Sequence, residues 1–327
     1  MDTKKMTYSQ AIARALDEEM ERDQKIIVMG EDIGLQGGVF GTTRGLYDKY
    51  GCDRVLDTPI SENSFVGCAV GAAMTGLRPV VEVMYIDFIT LAMDQIINQA
   101  AKVRYMFGGK VKVPLVIRTQ GGAGKGNAGH HSQSLEVFFC HIPGLKVVMP
   151  STPNDAKGLL KSAIREDNAV IFIEHKLLYG IEGKIFPEEK IIELGKADIK
   201  KKGTDITIAA VSYMVVKAIE AAEELEKEGI SCEVIDPRTL SPLDTATIVS
   251  SVKKTGRLLI VHESAKKAGI GAYISAEVSG PVFDYLDYPV EILGGLDSPI
   301  PYALVLEEAV IPQVEDIKMR VKKILNR

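Results

Sequence analysis

Cysteine is scarce in this chain: Cys52, Cys68, Cys140 and Cys232 are the four in 327 residues, widely spaced and never in a Cys-x-x-Cys pair. That scatter excludes a disulfide framework and a cysteine-held metal site, and it fits reduced thiols in a cytoplasmic protein. Cys68 stands in an apolar run, where a small hydrophobe is all the position asks for. A surplus of basic charge is also missing. The 39 Lys and Arg are outnumbered by 44 Asp and Glu, giving a net charge of −5, which argues against a general nucleic-acid binder. Long apolar runs are absent too. The longest uncharged apolar stretch, Phe65 to Leu77, has 13 residues broken by three glycines, too short to span a bilayer. The first residues lack a continuous apolar segment before a small-residue cleavage site, and acidic residues follow soon after. Neither a secretory signal nor a transit peptide is expected.

What is present reads as a globular α/β protein. A hydrophobic share of 46% beside 25% charged residues rules out disorder as a description, and at about 150 residues per domain the length predicts two domains. Residues 25–30, 79–86, 113–118, 145–149 and 169–174 are nearly continuous runs of Val and Ile, as strands covered on both faces should be. Between them, Thr7 to Asp23 places Ile12, Ala15, Leu16, Glu19 and Met20 at helical spacing, with only Glu19 breaking the apolar stripe. Residues 89–106 read as one helix stopped by Gly108 and Gly109. Thr152-Pro153-Asn154-Asp155 is a helix start: a hydroxyl cap, proline in the first turn, and an acid. The composition shifts over 180–204, and the triple lysine Lys200 to Lys202 reads as solvated. Alternation then restarts, with strands at 205–211, 230–235 and 257–262, a helix at 213–228, and a helix opened by Ser241-Pro242-Leu243-Asp244. Strand–helix–strand order implies right-handed crossovers and parallel sheets. The expected plan is a first α/β domain over 1–190, a linker over 191–203 and a second α/β domain over 204–327.

Several familiar motifs fail on inspection. Residues 119–126 suggest a phosphate loop, but Thr119 stands where the first glycine belongs and Gly126 where Ser or Thr belongs. Gly269-Ile270-Gly271 follows a strand, yet Ile274 occupies the third glycine of a dinucleotide fingerprint. His130, His131 and His141 cluster without further ligands at zinc spacing, and neither Ser132 nor Ser134 stands in a nucleophile elbow.

Two segments point to chemistry. Asp57-Thr-Pro-Ile-Ser-Glu62-Asn precedes a run of small residues, Ser64 to Gly76, in which Gly67 and Gly71 would form a flat helix face. A carboxylate at that helix start favours the dipole in the plain reading; withdrawn from water at a close interface, it suits proton transfer. The second segment is the glycine-rich loop Gly121 to Ser134, in which His131 is either a surface histidine or an acid–base group.

Six segments together, 30–46, 54–63, 87–109, 130–136, 142–160 and 172–180, resemble the β subunit of thiamine-diphosphate-dependent 2-oxo acid dehydrogenases, and the likeness runs through nearly the whole chain. The resemblance implies a pyrimidine-binding domain followed by a transketolase C-terminal-like domain, with thiamine diphosphate as cofactor. By resemblance, Glu62 is the carboxylate contacting N1′ of the aminopyrimidine, where proton exchange activates the cofactor. Phe88 is the aromatic residue stacking on that ring, and Ile60 the apolar contact beside it. His131 is the active-site histidine that handles protons or orients the dihydrolipoyl acceptor; no such role extends to His130. Leu115, Ala163, Glu166 and Asn168 match positions that hold a structural potassium ion through backbone oxygens. The chain has no Gly-Asp-Gly, the segment by which relatives hold the diphosphate through magnesium. An α subunit is therefore expected to bring magnesium, in a two-α, two-β tetramer that serves a lipoyl-bearing acyltransferase core. Met84 to Phe88, Arg118 to Gly122 and Glu174-His-Lys look most like the acetoin-cleaving members, with pyruvate and branched-chain 2-oxo acid members close. A non-catalytic docking subunit is the rival from another class, against which the intact Glu62 and His131 segments count.

Overall fold

The computed structural model describes residues 5–186 and 191–326. The chain forms two compact units, one of Met1–Gly121 with Phe138–Leu194, the other of Gly122–Val137 with Gly195–Arg327. The glycine-rich loop that holds His131 is thus built with the second unit, although it lies in the middle of the first in sequence.

The core of the first unit is a parallel sheet whose strands run in the order Lys146–Val148, Val170–His175, Val116–Gly121, Arg78–Val83, Ile26–Gly30, Val55–Asp57. Its central strands are buried almost along their whole length, their Val and Ile residues interrupted by buried polar groups such as Glu82, Arg118, Gln120 and Glu174. Helix Tyr8–Arg22 starts where a capping box forms: Thr7 accepts from the Gln10 N–H and Gln10 returns a bond to the Thr7 N–H. Helix Pro153–Arg165 is capped by Thr152 with proline at its first position, as the sequence predicts. The expected helix over 89–106 is broken instead. It consists of a 3₁₀ turn Phe88–Ala92, a π turn Gln95–Ala100 and a single α turn Val103–Met106. The strand expected to reach residue 86 stops at Val83, because Tyr85 takes a left-handed φ of 62°.

In the second unit the strand order is Glu291–Gly295, Leu258–Ala265, Ile206–Ala210, Cys232–Asp236, Asp198–Lys201, all parallel except the last, which pairs antiparallel with Cys232–Asp236. Helix Tyr213–Glu226 and the terminal helix Val314–Ile324 cover one face around Ile208, Val215, Ala218, Val234, Leu259 and Val321. The linker expected over 191–203 is used as structure. Ile192 is buried in the first unit, its N–H bonded to the Gly158 carbonyl, and Asp198–Lys201 adds an edge strand to the second unit. The lysine run is correspondingly tied down, with Lys200 bonded to Asp198 at 2.7 Å and Lys201 to Glu226 at 2.8 Å. Residues 187–190, within the composition shift that precedes the expected linker, lie outside the described residues. Among the described residues no helix is long and apolar enough to cross a membrane.

Candidate functional site

In a parallel sheet, ligands sit beyond the carboxyl ends of the strands, where loops and helix N-termini converge. Ile60, Glu62 and Phe88 follow such strand ends. Strand Ile26–Gly30 is followed at once by Glu31 and Asp32, strand Val55–Asp57 by Thr58 to Glu62, and strand Arg78–Val83 by Tyr85 to Phe88. Glu62 is the first residue of helix Glu62–Met74, so its carboxylate meets the positive end of the helix dipole, and only 8% of the residue is exposed. The short helix Phe88–Ala92 packs against that same helix. Phe88 is half-buried, whereas Ile60 is 82% exposed and covered by nothing in this chain.

A second carboxylate, which sequence reasoning missed, completes this end of the sheet. Glu31 is 7% exposed, and its Oε1 is buried without a hydrogen-bond partner. Burial, with the charges of Glu62 and Asp32 beside it, holds its carboxyl above the ordinary carboxylate range. The Thr58 hydroxyl is likewise buried without a partner, although the Thr58 N–H is bonded to the Gly30 carbonyl at 2.9 Å. Unpaired buried polar atoms cost stability and are rare unless another group supplies the missing bond. One of them on Glu31 itself and one on Thr58, both just beyond strand ends, offer an incoming polar molecule its bonds. The signal was legible: an acid pair immediately after a buried strand that ends in glycine.

On the small-residue helix, a Cβ on Gly67 would meet the Gln95 side chain at 3.2 Å, while Gly71, among the described residues, has no neighbour within 4 Å.

In the second unit the glycine-rich loop is anchored by two buried glutamates. The Ala123 N–H donates to Glu263 at 2.6 Å and the Gly126 N–H to Glu307 at 2.9 Å. Ser264 donates to Glu136 at 2.6 Å, fixing the loop's far end. These anchors hold a path on which Ala128 has a left-handed φ of 58° and the His131 N–H reaches back to the Ala128 carbonyl. His131 is half-buried and His130 exposed. Gln133 and Ser134, just beyond, line a recess of about 330 Å³ with Glu263, Ser264 and Asp297. Sequence reading found the loop but not Glu263 or Glu307, which come from strand and helix far along the chain.

The four positions matched to a potassium ion lie in the first unit, and their oxygens already accept bonds. The Leu115 carbonyl takes the Val170 N–H at 2.9 Å, Ala163 the Glu166 N–H at 3.2 Å, and Glu166 the Arg78 guanidinium at 2.6 Å. Asn168 Oδ1 takes Arg104 at 2.7 Å.

This geometry, strand-end carboxylates at the head of a helix in one unit and an anchored glycine loop in the other, agrees with the comparisons. Residues 4–182 match the transketolase pyrimidine-binding domain and residues 195–317 the transketolase C-terminal domain. A split-gene transketolase, solved as an inactive β4 tetramer, has the same fold, with a TM-score of 0.79 over 98% of both chains at 24% identity. The class is that of transketolase-type proteins. More narrowly, the chain is 48% identical to subunit beta-2 of the mitochondrial pyruvate dehydrogenase E1 component of Oryza sativa, covering 98% of this chain and 86% of that one. It is also 48% identical to the beta subunit of acetoin:2,6-dichlorophenolindophenol oxidoreductase of Cupriavidus necator, over 98% and 97%. The pyruvate dehydrogenase E1 subunit beta of Rickettsia bellii stands at 48%, over 98% of both. The chain belongs to the family of β subunits of thiamine-diphosphate-dependent 2-oxo acid and acetoin dehydrogenases.

Proposed function

We propose that this chain, with an α subunit, forms the component that cleaves acetoin and passes the two-carbon acyl unit to a lipoyl arm. The observation that carries the reading is the Glu31–Glu62 pair with its unpartnered buried oxygen beside the Phe88 turn. A flat, polar aminopyrimidine suits those groups: an aromatic face for Phe88, an apolar one for Ile60, and a nitrogen for the Glu62 carboxylate. When bound, thiamine diphosphate supplies the carbanion that attacks the substrate carbonyl. The chain's own part is to hold and move a proton at the pyrimidine through Glu62, to keep that carboxylate out of bulk water, and to present His131 for proton handling during acyl transfer.

The diphosphate and magnesium fall to the α partner in this reading, in a tetramer of two α and two β chains. The backbone carbonyls of Leu115, Ala163, Glu166 and Asn168 are offered to a potassium ion in this reading, the first three each keeping a second lone pair; a melting temperature equal in potassium and sodium would remove that assignment. None of the four cysteines forms a disulfide, in keeping with the cytoplasmic location this reading assigns.

Pyruvate is the second reading, because pyruvate dehydrogenase relatives are as similar as the acetoin one. Of the segments that resemble acetoin-cleaving members, Arg118 and Glu174 are fully buried and bonded to each other, so they report packing rather than substrate. Met84 to Phe88 remains as the segment able to face substrate. In the α-paired enzyme, Glu62→Gln is expected to lower turnover by roughly 100-fold or more, and His131→Ala to slow transfer to the lipoyl acceptor more than cofactor binding. Unchanged turnover in Glu62→Gln would defeat the reading and favour a docking subunit.

A further inference from the structure

The turn that carries Phe88 is set by one residue that no reading above has used. Tyr85 has a φ of 62°, a left-handed conformation that a bulky side chain keeps only where its surroundings over-determine it. Gln120, fully buried in the neighbouring strand, supplies that constraint twice. Its side-chain Oε1 accepts the Tyr85 N–H at 3.1 Å and its main-chain carbonyl accepts the Ile86 N–H at 2.8 Å. The Phe88 N–H then closes the turn onto the Tyr85 carbonyl at 3.0 Å.

Gln120 is itself fixed from behind. Its Nε2 donates to Glu82 at 3.2 Å, and Glu82 also accepts Arg118 at 2.8 Å and Thr42 at 3.1 Å. Arg118 grips Glu174 with two parallel bonds of 2.7 and 2.9 Å, and the Tyr179 hydroxyl donates to the same carboxylate at 2.6 Å. From Tyr179 the path returns through rings. Tyr179 stacks on Phe40 with centroids 4.9 Å apart, Phe40 meets Tyr85 edge-on at 5.8 Å, and Tyr85 meets Phe88 edge-on at 6.4 Å. The contacts form a closed circuit that leaves Tyr85 through its backbone and comes back through its ring. Glu82, Arg118, Gln120 and Glu174 are all buried. A network so desolvated is costly to build, and well-packed apolar residues would have served stability as well. What apolar residues could not do is hold a left-handed N–H in place.

We propose that Gln120, backed by the Arg118–Glu174 pair, is a positioning residue that fixes Phe88 for the cofactor's pyrimidine by locking the Tyr85 turn. The inference rests on the cofactor reading given above. Gln120→Met keeps the volume and removes both side-chain bonds, leaving the Tyr85 N–H and a Glu82 oxygen unmet.

The test is calorimetric titration of thiamine diphosphate, with magnesium present, into the assembled αβ enzyme, alongside turnover at saturating cofactor. Gln120→Met is expected to weaken cofactor binding by about tenfold while turnover at saturation stays within about twofold. A variant that melts earlier but binds the cofactor as tightly as wild type would reduce Gln120 to a packing residue and overturn the proposal. If Gln120→Met does not assemble, Phe40→Leu opens the aromatic arm of the circuit at a half-buried position; severalfold weaker binding supports the proposal and equal binding overturns it. Wild-type enzyme that fails to bind thiamine diphosphate would defeat the cofactor reading itself, a result distinct from variants that bind as wild type does.

Discussion

His262 lies fully buried in strand Leu258–Ala265, caged by glycines: a Cβ on Gly269, Gly271 or Gly294 would come within 2.7 Å of its ring. Ser264 gives its one hydroxyl proton to Glu136, so at 2.9 Å it accepts from His262 Nδ1–H, and the neutral ring turns an unprotonated, unpartnered Nε2 into the cage. A proton there would be buried without an acceptor, and burial pushes the imidazole down to about 4. With the folded value depressed, nothing is lost above the unfolded value near 6.5. As pH falls below it the unfolded chain takes up a proton that the folded chain refuses, until the contribution is gone below about 4. Between pH 7.5 and 5 that one group should cost about 2 kcal/mol, and His262→Gln should lose correspondingly less stability over the same interval in urea unfolding. Equal losses in the two proteins would show that the cage tolerates the charge. Residue-scale chemistry was partly legible. Glu62 and His131 announced themselves by their segments, whereas His262, Glu263 and Glu307 matter through partners that no local pattern connects to them.

At the scale of elements, the helix start at Thr152 was readable, because a cap is a local bond between a side chain and an N–H three residues on. The helix expected to open at Ser241 starts instead at Thr245, capped by Asp244, because Thr239–Ser241 is a strand. Glu19, the residue that breaks the apolar stripe of helix Tyr8–Arg22, shows the limit of that reading. It is fully buried against helix Pro153–Arg165, paired with Arg165 at 2.6 Å and Arg22 at 2.8 Å, and with Lys161 at 3.8 Å. Next to it Glu18 bonds Lys157 at 2.9 Å and Lys161 at 2.8 Å. The two helices are joined by an ionic seam where an amphipathic pattern predicts grease. Glu19→Ala would strand the buried Lys161 beside one acid instead of two. With Arg165 and Arg22 able to turn to water, the expected loss is about 2 kcal/mol, measurable as a shift in the urea midpoint at constant slope. A change below about 0.5 kcal/mol would make the seam a surface-like pair. The broken helix over 88–106 was not legible either, since its π turn is a matter of register along one backbone that apolar periodicity does not encode.

For the molecule as a whole, the incomplete half-site makes a plain prediction. The β chain alone should bind thiamine diphosphate and magnesium weakly, and activity should appear only on co-expression with its α partner. Dye reduction by that pair with acetoin, pyruvate and branched 2-oxo acids decides the substrate: preference for acetoin supports the proposal, preference for a 2-oxo acid keeps the cofactor chemistry and replaces the substrate. Sequence by itself determined the α/β class, the two-part organisation and the family, and it singled out Glu62, Phe88 and His131 as candidates, because strand runs, caps and long ordered motifs are local and survive as text. Only tertiary structure decided that the His131 loop is built with the second unit, that Glu31 stands beside Glu62 with a buried oxygen unmet, and that Gln120 holds Tyr85. Each of those depends on parallel strands bringing together residues that lie tens of positions apart, and on burial that makes a single missing or extra hydrogen bond count.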